Sequence, residues 1–460
     1  MKEKYFTVAA YCPPQPKMHG RKTQITDEQY RRMSELGVDV IYGHNETVGG
    51  EREEEVFEAL RLAEKYGMRY YVRDEIYHRF TDLVGTSFKP FNELTGAEKE
   101  ALGEEYRKSL SRYKDYPAFG GVSFIDEPGT DMFDGIAFAK EIFERECPNK
   151  IFYVNLLPYW CEKKQYQIST QKVSPESIDE HLLAEPKACR YAYYIRSFLN
   201  TVSPKVLSFD AYPFITLGSE KTMIHAGMYE QLEINSTLAR EKGVPLWSFI
   251  QGGGLWEGNM SVRVPNASEV SLHINVTAAY GAKGIEIFPY AYPRDWDEDS
   301  VAVAGLIGRD GEITPIYGYF SSAFSFLRKA EKYLAGSKFK CVSAVGEFKG
   351  GLSPFTERLE IADNDCIFDG KLRYEDVPCV DYIKASSQLL IGVFEKKNET
   401  ILYVVNNSTV ASVNAKIHLS GKYDCSVLQK ATAQYKSVDT IGINDLPAGN
   451  AAVISIIKNN

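Results

Sequence analysis

Two adjacent carboxylates close an apolar run in this chain. Gly120–Pro128 reads Gly-Gly-Val-Ser-Phe-Ile-Asp-Glu-Pro, so Asp126 and Glu127 stand where a strand finishes, and Pro128 forbids regular pairing beyond them. A second run, Val206–Phe214, reads Val-Leu-Ser-Phe-Asp-Ala-Tyr-Pro-Phe and brings Asp210 and Tyr212 to a comparable end. Paired carboxyl groups do acid–base work when one keeps its proton and the other is ionised. Cleavage of a glycosidic bond needs such a pair: one group protonates the leaving oxygen, and the other attacks the sugar or activates water. Glu127 is the candidate acid, and a carboxylate neighbour such as Asp126 would raise its pKa by like-charge repulsion. Asp210 is the leading second carboxylate. Helix capping or a salt bridge at a strand end is the structural alternative for both.

Other polar residues compete for roles. Glu286 lies two and four positions before Phe288 and Tyr290, so a strand period puts all three on one face. If that face is interior, Glu286 is a buried carboxylate and a rival for the second role. Gly43-His44-Asn45-Glu46 offers three polar groups in succession, any of which could reach a ligand's hydroxyls. Arg73-Asp74-Glu75 is a mixed cluster that could hold a hydroxyl or form structural salt bridges. Asn155, Trp247 and Gln251 complete the candidate binding set. No metal or cofactor is expected: the seven His are scattered without ligand spacing, and neither a Gly-rich phosphate loop nor a G-x-S-x-G elbow occurs.

The elements that must position these groups follow from the alternation of short β-rich runs with amphipathic segments up to about Gly336, the pattern of a parallel sheet with crossover helices. Eight strands are expected, at Tyr5–Tyr11, Val38–Gly43, Arg69–Arg73, Gly121–Ile125, Ile151–Leu156, Val206–Asp210, Leu246–Ile250 and Gly284–Phe288. Eight is the number of a (β/α)8 TIM barrel, whose chemistry sits at strand C-termini. Several helical stretches end in a Gly before the next strand: Gly37, Gly67, Gly243 and Gly281 read as left-handed stops. The segments Thr81–Glu93, Trp160–Pro186 and Gly252–Pro265 are too long for minimal connections and are expected to wall the pocket. Beyond the helix Ile316–Leu334 the pattern turns to short alternating strands, read as a small antiparallel β-sandwich. The division is residues 1–336 for the barrel and 337–460 for the sandwich.

Composition narrows the partners. Of 460 residues 44% are hydrophobic and 25% charged, which suits a globular protein with a large core, and the net charge of −9 argues against nucleic acid. No window reaches the roughly 18 apolar residues that span a bilayer, so no membrane partner is expected. The eight cysteines fall at irregular spacings with no C-x-x-C pair, which indicates neither a zinc knuckle nor a disulfide framework. No leader is visible, so a cytoplasmic location is expected unless one has been removed.

Three motifs in order carry a resemblance: Asp-Glu-Pro after the fourth strand, Ser-Phe-Asp-Ala-Tyr-Pro on the sixth, and Ala279–Tyr290, Ala-Tyr-Gly-Ala-Lys-Gly-Ile-Glu-Ile-Phe-Pro-Tyr. Together the barrel resembles the clan-A glycoside hydrolases, nearest to family-42-like β-galactosidases and related bacterial barrel hydrolases. The resemblance implies a carbohydrate substrate and an acid at Glu127, with Asp126 in place of the clan's Asn. It also implies a nucleophilic Glu at the end of strand seven, where this chain has Gln251. The second carboxylate would then come from another strand, the enzyme would invert, or the barrel would bind sugar without cutting it. Strands four and six are not neighbours, so a Glu127–Asp210 pair is expected to stand at the wide spacing of an inverting enzyme, about 6.5 to 9.5 Å. Tyr11, Tyr159, Trp160, Tyr212, Trp247, Trp256 and Tyr290 would supply the sugar platform under this resemblance. A lyase or deacetylase on the same barrel is the more distant alternative.

Overall fold

The computed structural model describes residues 4–81, 91–168, 179–217, 221–225, 227–257, 260–294, 304–345, 359–360, 367–368, 377 and 379–457. Eight parallel strands close into a barrel: β1 (Thr7–Ala10), β2 (Val40–Tyr42), β3 (Arg69–Val72), β4 (Phe119–Asp126), β5 (Ile151–Leu156), β6 (Leu207–Phe209), β7 (Leu246–Gln251) and β8 (Gly284–Phe288). Each pairs with its sequence neighbour, and β8 returns to β1 in the register Ala9 to Glu286. The crossovers run through α1 (Asp27–Leu36), α2 (Glu53–Lys65), α3 (Gly96–Leu110), α4 (Phe133–Glu146), α5 (Lys187–Thr201), α6 (Gly227–Lys242) and α7 (Ala267–Ala279), and α8 (Pro315–Leu334) follows β8. The TIM barrel expected from the alternation is therefore present.

Local signals explain the boundaries. The Thr26 side chain accepts from the Gln29 amide to start α1, and Asn266 with Glu269 forms a reciprocal cap on α7. Gly37, Gly67, Gly243 and Gly281 all have positive φ, the left-handed stops expected at those positions.

The strand period sorts the barrel side chains into two layers. Ala9, Val40, Tyr42, Tyr71, Tyr153, Trp247 and Phe249 form the interior cluster, whereas Val8, Ile41, Tyr70, Val154 and Ile285 pack under the helices. Trp247 belongs to the floor, opposite Gly284, where a Cβ would lie 2.1 Å from the Trp247 ring. Only a residue without a side chain leaves room for that indole.

Past β6 and β7, where Gly252–Pro265 is expected as a long pocket-wall segment, the chain forms further strands. Phe214–Leu217, Lys221–Ile224, Leu255–Glu257 and Met260–Val262 form a four-stranded antiparallel sheet. Much of the other two expected wall segments, residues 82–90 and 169–178, lies outside the described residues.

The expected antiparallel module is a single seven-stranded sheet. It comprises β9 (Lys338–Val345), β10 (Val380–Ala385), β11 (Leu389–Lys396), β12 (Glu399–Asn406), β13 (Val413–Leu428), β14 (Thr432–Leu446) and β15 (Ala451–Ile457), ordered β9-β11-β12-β15-β13-β10 with β14 on β13. The end strands β9 and β10 touch, so the sheet curls round a core of its own, containing Leu389, Ile391, Val393, Leu402 and Val404. The alternate residues Leu390, Phe394, Ile401, Tyr403 and Val405 join the barrel's outer core, and Tyr403 donates to Asn275 Oδ1 of α7 at 2.7 Å. A Cβ on Gly392 would meet the Ala279 carbonyl oxygen at 2.2 Å, so a glycine lets sheet and helix meet this closely.

Candidate active site

The mouth is built on a distortion of β4. Regular alternation from Gly121 would send Ser123, Ile125 and Glu127 inward and Asp126 outward. Instead the β4–β5 register shifts between Ser123 and Ile125, and both Phe124 and Ile125 pack in the outer core. The shift brings Asp126 to the inner face, which is how bulges commonly re-aim a side chain near a site. Glu127 follows with φ of +50°, a left-handed conformation uncommon for a residue with a Cβ. Its backbone N–H donates to the Asn155 carbonyl at 3.0 Å, and the Tyr194 hydroxyl holds the Pro128 carbonyl at 2.6 Å. Bulge and left-handed turn together place two consecutive carboxylates at one mouth.

Asp210 meets them there. Its side chain is hydrogen-bonded to Glu127, and it accepts from Asn155 Nδ2 at 2.8 Å and from the Tyr212 hydroxyl at 3.1 Å. Burial, with the charges of Glu127 and Asp126 added, holds the Asp210 carboxyl well above the usual carboxylate range. Such a pair holds one proton between two acids. The wide spacing expected of these residues is therefore not what the structure has. The reason is geometric: inward side chains of alternate barrel strands share a layer, so residues from β4 and β6 meet across β5.

The residue between them is Asn155, which is 2% exposed. Its amide nitrogen donates to Asp210 and, at 2.9 Å, to Asp126 Oδ1. Asp126 also accepts from the Tyr11 hydroxyl at 3.0 Å, and Arg73 Nη1 approaches that hydroxyl at 3.5 Å. Aromatic rings surround the cluster: Tyr11 lies edge-on to Phe249 at 5.6 Å and to His44 at 5.3 Å, and Tyr212 faces Phe288 at 5.2 Å. His44 thus belongs to the rim, with Nε2 3.6 Å from Cys12 Sγ.

Glu286 does point into the barrel, one layer below. It is fully buried and accepts from Tyr42 at 2.5 Å, Tyr153 at 2.7 Å and Ser208 at 2.6 Å. Burial pushes its pKa up to about 7 against the lowering pull of those hydroxyls, and the Asp126 charge adds to the rise. Ser208, Tyr153 and Tyr42 were not singled out in the sequence. The available signal was periodicity, since Ser208 precedes Asp210 by two residues and Tyr153 precedes Asn155 by two.

Several other candidates are held by partners outside this cluster. Glu46 is buried against the Tyr70 hydroxyl at 2.5 Å in the outer layer, and burial raises its pKa to about 7. Asp74 caps the turn after β3 by accepting from the Ile76 amide, and Ser109 of α3 and Tyr113 hold its other oxygen; burial raises its pKa. Glu75 pairs with His78 at 3.1 Å, which lowers its pKa. Asn45 donates to Gln15 Oε1 at 2.8 Å. Tyr290 is buried in the outer core because β8 ends at Phe288, and beyond Pro289 the two-residue period no longer applies. Gln251, where the resemblance puts a nucleophile, is spent on backbone: Oε1 accepts from Phe214 N at 2.9 Å, and Nε2 donates to the Phe214 and Arg263 carbonyls at 3.0 and 2.6 Å. Of the expected platform aromatics, Tyr159 is buried in the outer core, Trp160 stands 5.1 Å from His225, and the Trp256 side chain lies outside the described residues. Among the described residues no cluster of three or more His, Cys, Asp and Glu could hold a metal ion, and no helix is long and apolar enough to cross a membrane.

No family model matches the chain, and no curated protein matches it in sequence. Solved structures are similar in fold. A structure described as a glycoside hydrolase aligns with a TM-score of 0.54 at 10% identity over 99% of this chain and 93% of its own. A glycoside hydrolase of family 5 from Bacteroides vulgatus aligns with a TM-score of 0.51 at 9% identity over 98% and 89%. A β-galactosidase from a psychrophilic Marinomonas aligns with a TM-score of 0.48 at 12% identity over 72% of this chain, which spans 60% of that enzyme's length. The barrel fold implied by the resemblance in the motifs is thus shared with solved glycoside hydrolases.

Proposed function

We propose that the chain is a glycosidase that cleaves O-glycosidic bonds of small or terminal glycans, with Glu127 as proton donor and Asp210 as its partner. The observation that carries this reading is the carboxyl–carboxyl hydrogen bond at the barrel mouth. One proton and one negative charge are the complement that acid-assisted glycoside cleavage starts from. Glu127, the less buried of the two, passes the proton to the leaving oxygen as the bond to the anomeric carbon breaks. Two carboxylates then face the cationic sugar, and their mutual repulsion, costly in its absence, becomes attraction for that charge. Water adds to the anomeric carbon and returns a proton to the pair. The aromatic rim of Tyr11, Tyr212 and Phe288 offers apolar faces to the ring.

A specific observation favours a second reading, a barrel that binds sugar without cutting it: Gln251 occupies the strand-seven position and is committed to backbone. Prolonged incubation with a panel of aryl glycosides separates the two. Hydrolysis releases the aryl group and leaves products heavier by one water in sum. A binder shows ligand-dependent thermal stabilisation without release. A lyase product lacks the water, and loss of an acetyl group marks a deacetylase.

A further inference from the structure

Below the mouth, the hydroxyl of Ser208 touches more groups than its single proton can serve. It lies 2.6 Å from Glu286 Oε2, 3.1 Å from Asn155 Oδ1 and 2.8 Å from the Tyr153 hydroxyl. An ionised carboxylate only accepts. With Glu286 ionised, Ser208 must donate to Oε2, and its proton is lost to Asn155. With Glu286 protonated on Oε2, the acid donates to Ser208 Oγ, which turns its own proton to Asn155 Oδ1. Tyr42 and Tyr153 can donate to Oε1 in either state.

We propose that Glu286 is a positioning residue: its protonation sets the direction of the Ser208 hydroxyl and, through it, the hold on the Asn155 amide that spans Asp126 and Asp210. The groups that face Glu286 are Tyr42 from β2, Tyr71 from β3, Asp126 from β4, Tyr153 from β5, Ser208 from β6 and, in register on β7, Phe249. None is a cation. The ionised form therefore has hydroxyl donors for solvation but no counter-charge, and it sets a negative charge under the mouth carboxylates. Protonation relieves both and completes the donors around Asn155. Near neutral pH the two arrangements interchange, and the mouth pair responds to a group that no substrate touches.

The proposal rests on the hydrolase reading only for its kinetic readout, so it is tested first without turnover. Infrared difference spectra of the intact protein between pH 5 and 9 should contain, beside bands from other buried acids such as Glu46 and Glu233, a protonated-carboxyl band lost in Glu286→Gln and another, from the mouth pair, lost in Asp210→Asn. The Glu286 band should titrate with a midpoint about 7, and the mouth band should shift with the same midpoint. In Ser208→Ala the Glu286 band should still titrate while the mouth band no longer follows it. Where an aryl glycoside is cleaved, turnover should fall about fivefold above that midpoint, the cost of one lost hydrogen bond, with KM unchanged. In Glu286→Gln, whose amide donates as the protonated acid does, this step should vanish. No Glu286 band at pH 5, or a mouth band that follows Glu286 equally in Ser208→Ala, overturns the proposal. Absence of turnover on every glycoside would defeat the hydrolase reading and leave the infrared result standing.

Discussion

Glu127 and Asp210 are hydrogen-bonded through their side chains, although they leave barrel strands that are not neighbours. The contact exists because β4 and β6 contribute to the same inward layer across β5, and because a bulge and a left-handed residue turn the end of β4 toward the axis. It removes the argument for inversion drawn from strand separation.

Asn155 bridges Asp126 and Asp210 from a fully enclosed position. Asn155→Ala should lower stability by about 1 to 3 kcal/mol, the cost of losing an enclosed amide that donates to both carboxylates, and should reduce turnover as the pair loses its alignment. Urea unfolding and kcat measured on the same preparations check this. Wild-type stability in that variant would mean that the amide supports neither carboxylate.

Glu46 makes a prediction for pH. Its folded pKa of about 7 exceeds the ordinary value of 4.5, so the native chain binds more protons than the unfolded chain between these pH values. Its stabilising contribution is therefore full below about pH 4.5 and is lost as pH rises through about 7. Glu46→Gln keeps an acceptor for Tyr70 and cannot ionise. It should match the parent at pH 4.5 and exceed it in urea midpoint at pH 8. Equal midpoints at pH 8 would place Glu46 in contact with water.

Gln251→Glu would install the residue that the resemblance expects on strand seven. Its Oε1 would still accept from Phe214 N, but the two donors to the Phe214 and Arg263 carbonyls would become acceptors facing acceptors. The expected outcome is a loss of roughly 1 to 3 kcal/mol per abandoned carbonyl and no gain in turnover. A calorimetric midpoint unchanged from the parent, or a faster enzyme, would show that this position opens to the pocket.

Much of the barrel and part of its mouth were legible in the sequence, for physical reasons. Pro128 marked the end of the strand that carries Asp126 and Glu127, because a chain breaker stops pairing wherever it occurs, and the end of the apolar run from Val206 marked Asp210 and Tyr212. What could not be read was the side of the sheet on which a residue just past a strand emerges. Glu46, Asp74 and Tyr290 look equivalent to Asp210 in sequence, yet each faces the helices. That choice depends on turns, and in β4 on a bulge, that follow no two-residue rule. The commitment of Gln251 was hidden for a different reason: its partners are backbone groups of Phe214 and Arg263, 37 and 12 positions away, and no sequence pattern encodes them. The layer below the mouth followed the period and could have been found by stepping back two residues from Asp210 and Asn155.

The proton donor itself is tested most directly by the rate at which Glu127→Gln releases the aryl group from the glycoside that the parent cleaves fastest. An amide at this position can still hydrogen-bond Asp210 but cannot give a proton to a leaving oxygen. A fall of roughly 10²- to 10⁴-fold, with the parent's unfolding midpoint retained, is the predicted result. Release at a near-parental rate would contradict it and remove Glu127 from the chemistry.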